Sequence, residues 1–146
     1  MSKPKPAKIL IIEDNPADVV LLRHALNHQG EPYDLELLSD GEMALRFVDE
    51  HRTGKREPHP CVIVLDLHLP ICDGIAVLKA IRQSPALTHI HVVALSGFAN
   101  PQEEAAILAL GGLYRQKPFV LFQCLELAAE ILAICKGSHQ SLEVAL

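Results

Sequence analysis

The sequence predicts an α/β fold: one parallel sheet whose five strands alternate with five helices that cover both faces. Three observations carry this. Val62-Ile-Val-Leu-Asp66 is an unbroken run of β-branched and leucine residues, the pattern of a strand buried on both faces. That run ends at a carboxylate, after which Pro70 and Asp73-Gly74 force a turn and open a new element. Strand and helix patterns then alternate five times along the chain with short connections, which is the signature of a parallel sheet. In such sheets ligands bind just beyond the carboxyl ends of the strands, so Asp66 is where chemistry is expected.

Taken in order, Lys8-Ile-Leu-Ile-Ile12 is a first buried strand ending in Glu13-Asp14. Asn15-Pro16 supplies an N-cap and a first-turn proline, and Val19, Leu22, Ala25 and Leu26 line one face of the helix, which stops at Gly30. Leu35–Leu38 is a short second strand. Asp40-Gly41 opens a helix expected to turn Ala44, Leu45 and Val48 inward. Arg52 to Pro60 reads as a loop with three basic residues, leading to the amino end of the Asp66 strand and so away from the expected site.

Ile75–Ile81 reads as the third helix, stopped by Ser84-Pro85. Ile90–Leu95 is a fourth strand that delivers Ser96-Gly97. Asn100-Pro101-Gln-Glu103 caps the fourth helix, with Glu103 where a capping box wants an acid, and Gly111-Gly112 ends it. Leu113–Gln116 is the fifth strand, Lys117-Pro118 follows, and the last helix runs from Phe119 to about Cys135. Residues 1–7 read as a basic leader, 8–136 as one domain and 137–146 as a frayed tail.

Composition narrows the function. A net charge of −5 provides no general attraction to nucleic acid or anionic lipid. No apolar run approaches the roughly 20 residues that span a bilayer, and the leader lacks the apolar core of a signal peptide. A cytoplasmic location follows as the expectation. Cys61, Cys72, Cys124 and Cys135 show no CxxC spacing and read as small buried hydrophobes in a reducing compartment. The eight histidines form no zinc pattern.

Four strand ends bring polar side chains to one rim: Glu13 and Asp14, Asp66, Ser96, and Lys117. Any one of them is commonplace in a loop. Together, three carboxylates repel and raise one another's pKa, and a bound cation relieves this. Hard oxygen ligands with open positions suit Mg²⁺. Lys117 adds a positive charge and Ser96 a hydroxyl donor, which makes the rim a receptacle for a dianionic group on Asp66.

The set Glu13-Asp14, Asp66 with Pro70 and Asp73-Gly74, Ser96, and Tyr114-x-x-Lys117-Pro118 resembles the receiver domain of two-component response regulators, collinearly over roughly residues 7–135. The resemblance implies a flavodoxin-like (βα)5 fold with strand order 2-1-3-4-5. It implies that Asp66 accepts a phosphoryl group from a kinase phosphohistidine, with Mg²⁺ held by Glu13, Asp14, Asp66 and the backbone carbonyl of His68. Lys117 and Ser96 would serve the phosphoryl group, and movement of Ser96 would let Tyr114 turn inward and alter the face formed by the fourth helix, fifth strand and fifth helix. The opening Ile12-Glu-Asp-Asn-Pro-Ala-Asp-Val19 is similar to that of small stand-alone regulators that partner phytochrome-type or other sensor histidine kinases. Such a protein is a switch or phosphorelay intermediate, not an enzyme.

Some positions carry expectations of their own. Glu13 replaces the commoner Asp. Arg115 and Gln116 are polar for a strand, as on an edge or facing a partner. His68 and Phe98 stand two residues after Asp66 and Ser96, where they could gate water. On the last helix, Gln123, Glu126 and Glu130 form a polar strip, Leu125, Ala128, Leu132 and Cys135 are expected to face the sheet, and Phe122, Leu127 and Ile134 are left to a partner or homodimer seam. The rivals are a pseudo-receiver that binds partners without phosphorylation, and an aspartyl-phosphate phosphatase. The intact acidic set argues against the first; His68, where a phosphatase needs a second acid, argues against the other.

Overall fold

A computed structural model describes residues 5–54, 58–70 and 72–137. The strands are β1 (Ala7–Ile12), β2 (Tyr33–Leu38), β3 (Val62–Asp66), β4 (His91–Ser96) and β5 (Leu113–Gln116). The helices are α1 (Pro16–His28), α2 (Gly41–Arg52), α3 (Gly74–Gln83), α4 (Pro101–Ala109) and α5 (Leu121–Lys136). All strand pairs are parallel, in the order β2-β1-β3-β4-β5 expected of a flavodoxin-like fold.

Side chains alternate across the sheet with the period of two that a pleated strand imposes. Leu10, Ile12, Ile63 and Leu65 point to one face, where Phe47, Val48, Val77, Leu78, Ile81 and Ile107 cover them from α2, α3 and α4. Ile9, Ile11, Val62 and Val64 point to the other, under Leu22, Ala25 and Leu26 of α1 and Cys124, Ala128 and Ile131 of α5. Every residue of β3 is buried, because it lies between β1 and β4 with helices above and below.

Two helical faces differ from the expectation. In α2, Phe47 turns inward with Ala44 and Val48 while Leu45 is exposed; positions 44, 47, 48 and 51 make the true three-and-four stripe, and His51 closes it. In α5 the buried stripe is Cys124, Leu127, Ala128, Ile131, Leu132 and Ile134. Leu127 and Ile134, assigned to a partner seam, are 7% and 4% exposed and belong to the core. The apolar arc of this helix is too wide for sequence to orient, and contact with α1 decides the rotation. Phe122 remains 69% exposed. The helix also starts later than expected, at Leu121, because Gln123 Oε1 accepts hydrogen bonds from the backbone N–H groups of Phe119 and Val120 and closes the helix start there.

The cysteines bring a second correction. Cys61, at the entry to β3, and Cys135, in the last turn of α5, form a disulfide across 74 positions of sequence. Their separation in the chain hid a Cα–Cα distance of 5.3 Å in the fold. Cys124 is buried as expected and Cys72 half-buried, both as free thiols. Among the described residues no helix is long and apolar enough to cross a membrane. Of the expected leader, residues 1–4 lie outside the described residues, as do 55–57 of the basic loop and 138–146 of the tail; Ala7 already belongs to β1.

Candidate functional site

Strand order brings the polar rim together. β1 and β3 are neighbours, so Glu13 and Asp14 stand beside Asp66; β4 lies on the other side of β3 and ends in Ser96. The carboxylates of Glu13, Asp14 and Asp66 offer oxygens within 4.8 Å of one another. Glu13 and Asp66 are buried and Asp14 is exposed. Asp66 Oδ1 accepts a hydrogen bond from the backbone N–H of His68 at 3.0 Å, which fixes the carboxylate's orientation. Its second oxygen, Oδ2, faces Lys117.

Lys117 reaches inward from the end of β5, where its own N–H donates to the Ser96 carbonyl at 2.7 Å. Its ammonium lies 3.3 Å from Asp66 Oδ2, 3.1 Å from Glu13 Oε1 and 2.9 Å from Asp18 Oδ2. Burial opposes that charge, yet the hydrogen bonds to Asp18 and Glu13 and the nearby Asp66 outweigh it and hold the ammonium above the usual lysine range. For Glu13 the balance runs the other way. Burial and the Asp66 carboxylate push its carboxyl up to about 7, against the opposing pull of the Asn15 N–H and Lys117. One ammonium does not neutralise the acids around it.

Whether these residues fit a divalent cation can be judged from that imbalance. Crowded carboxylate oxygens, one of them on an exposed residue, and a buried acid driven toward protonation make a donor set that a hard cation would relieve. The fit is good. Asp14 faces solvent.

Ser96 is buried, and its hydroxyl donates to the Phe98 carbonyl at 2.6 Å, so it is drawn into its own loop. Tyr114 is half-buried; its hydroxyl lies 3.0 Å from Glu103 Oε1 and 3.3 Å from the Phe98 carbonyl, and accepts from the Asn100 N–H at 3.3 Å. Tyr114 thus grips the loop that leaves Ser96. His68 Nε2 stands 3.7 Å from the other oxygen of Glu103, and Phe98 is 83% exposed at the rim. Arg115 turns onto α5 and forms a two-pronged pair with Glu130, at 3.0 and 2.8 Å, on the edge strand of the sheet.

Two residues of this constellation escaped the sequence reading. The sequence shows Glu103 only as a capping acid, whereas its carboxylate joins Tyr114 to His68. Asp18 reads as a first-turn helix acid; nothing local signals that α1 points it at Lys117, from the far end of the chain.

The response regulator receiver domain model matches residues 9–122. The chain belongs to that family. Receivers are signalling domains of two-component systems and bind a divalent metal, in keeping with the acidic cluster. Response regulator Rcp1 of Synechocystis sp. is 37% identical over 101 residues, which is 69% of each chain. Among solved structures, the phosphorylated cyanobacterial phytochrome response regulator RcpA superposes with a TM-score of 0.81 at 30% identity, over 92% of this chain and 96% of its own. The Mn²⁺-bound form of Rcp1 gives 0.76 at 32% identity, over 88% and 93%.

Proposed function

We propose that this receiver is a phosphorylation switch in which Asp66 takes a phosphoryl group from the phosphohistidine of a sensor histidine kinase. The single observation that carries the reading is the setting of Asp66: a carboxylate buried at the end of the central strand, oriented by the His68 N–H, with Glu13, Asp14 and Lys117 grouped on it. An Asp66 oxygen attacks phosphorus in line, the P–N bond to the kinase imidazole breaks, and the acyl phosphate remains on Asp66. Lys117 offers its ammonium to a phosphoryl oxygen, and Ser96 leaves the Phe98 carbonyl to donate to another.

Glu13, Asp14, Asp66 and the His68 carbonyl would hold Mg²⁺, which supplies charge neutralisation to the equatorial oxygens when bound. Once Ser96 releases the Phe98 carbonyl, Tyr114 loses part of the loop it grips and turns inward. That shifts a pre-existing equilibrium of the α4-β5-α5 face. Output is then a changed protein-binding surface or onward phosphotransfer, without catalysis of its own. RcpA, described as a phytochrome response regulator, supports a phytochrome-type kinase as the partner. Phe122, exposed at the start of α5, supports a homodimer or target contact on that face.

Intact-mass spectrometry after incubation with acetyl phosphate, with and without Mg²⁺, tests the switch. The expected result is a Mg²⁺-dependent gain of one phosphoryl group that Asp66→Asn abolishes. No gain on a folded protein, with acetyl phosphate or with a phosphorylated kinase, leaves a constitutive binding module.

A further inference from the structure

Asp18 occupies the third position of α1, where an acid ordinarily serves the helix itself by bonding the N-cap N–H. Here that N–H is already taken: Asn15 N donates to Glu13 Oε1 at 3.1 Å. The Asn15 side chain in turn caps the Ala17 N–H at 3.0 Å. Relieved of capping, the Asp18 carboxylate reaches Lys117 at 2.9 Å, nearer than Glu13 or Asp66. Both partners are partly buried, with side chains 29% and 20% exposed, so solvent screens the contact less than it would on the surface.

An ammonium has three protons, and three carboxylates surround this one. Two of them, Glu13 and Asp66, belong to the group that fits a divalent cation. Asp18 stands outside it, on a different element. We propose that Asp18 is a positioning residue for Lys117: it anchors the ammonium on the α1 side and keeps it from settling fully on Glu13 and Asp66. With Asp18 in place, Lys117 can give up its longest contact, to Asp66, and swing to a phosphoryl oxygen while staying tethered. Without it, the ammonium falls back on the nucleophile and on the carboxylates a cation needs. The purpose of this anchoring rests on the reading of Asp66 as phosphoacceptor; the anchoring itself does not.

The test is a double-mutant cycle on the full chain, with Mn²⁺ alone as the probe. Asp18→Asn is expected to weaken Mn²⁺ binding about fivefold, the scale of coupling between residues in contact, and by less than about twofold in a Lys117→Ala background. An equal loss in both backgrounds, or none in either, overturns the proposal, since Asp18 would then act as a bulk negative charge or not at all. A second readout needs neither metal nor phosphodonor. The ¹⁵Nζ ammonium resonance of Lys117, held by three carboxylates in the parent, should shift in Asp18→Asn as the ammonium settles on Glu13 and Asp66 alone. An unchanged resonance also overturns the proposal. Failure of acetyl phosphate to label the protein, with both results as expected, removes the phosphoryl reading and leaves the anchor standing.

Discussion

Glu13 shows how one side chain couples the site to the stability of the whole. Its carboxyl titrates near 7 in the folded chain against 4.5 when free, so the native state binds its proton more tightly than the unfolded state does. The stabilisation is complete below about pH 4.5 and is lost as pH rises through about 7. Without divalent cation, the urea midpoint should therefore fall between about pH 5 and about pH 8, and Glu13→Gln should flatten that slope. Added Mg²⁺ should raise the midpoint more at the upper pH, since the ionised carboxylate is the form that binds. A midpoint that rises over this range would mean that Glu13 is not the buried acid described above.

Among the elements, the turn from β3 into α3 has little freedom. A Cβ on Gly74 would meet the Cα of Leu67 at 2.7 Å and the carbonyl oxygen of Asp66 at 3.0 Å, so backbone would have to move. Gly74→Ala should cost about 2 kcal/mol in urea unfolding, as overpacking does. It should also slow labelling by acetyl phosphate, because the clash displaces the strand end that aims Asp66. In α5, burial separates residues that sequence grouped together. Ile134→Ala should destabilise by about 3 kcal/mol, the cost of an emptied core site. Phe122→Ser should leave unfolding within about 0.5 kcal/mol of the parent. If the α4-β5-α5 face pairs two copies, sedimentation of the phosphorylated protein should show association that Phe122→Ser weakens; no difference between the two would take Phe122 out of the interface.

For the molecule as a whole, the Cys61–Cys135 bridge ties the end of α5 to the start of the strand that carries Asp66. It closes a long loop in the unfolded chain, so it stabilises chiefly by restricting that state. Cys135→Ser should lower stability by about 2–4 kcal/mol in oxidising buffer, and the same variant should match the parent once dithiothreitol is present. Equal midpoints in oxidising buffer would show that the bond does not form in solution. The bridge lies at the amino end of β3, opposite the Asp66 rim, so metal binding should survive its loss.

Sequence by itself determined the βα alternation, the polar strand ends and the family to which they belong, because each rests on local signals. Buried strands read as unbroken aliphatic runs, caps and turns as Asn-Pro, Asp-Gly and Gly-Gly, and the site as carboxylates where strands stop. Tertiary structure alone decided what depends on elements far apart in the chain. It turned Leu127 and Ile134 of α5 onto the core, because the apolar arc of that helix fits more than one rotation until α1 packs against it. It drew Cys61 and Cys135 to 5.3 Å. It also set Asp18, which sequence shows only as a helix acid, against the ammonium of Lys117. Periodicity and punctuation are written along the chain, but the facing of one element by another is not, since it arises only when both are packed against the same sheet.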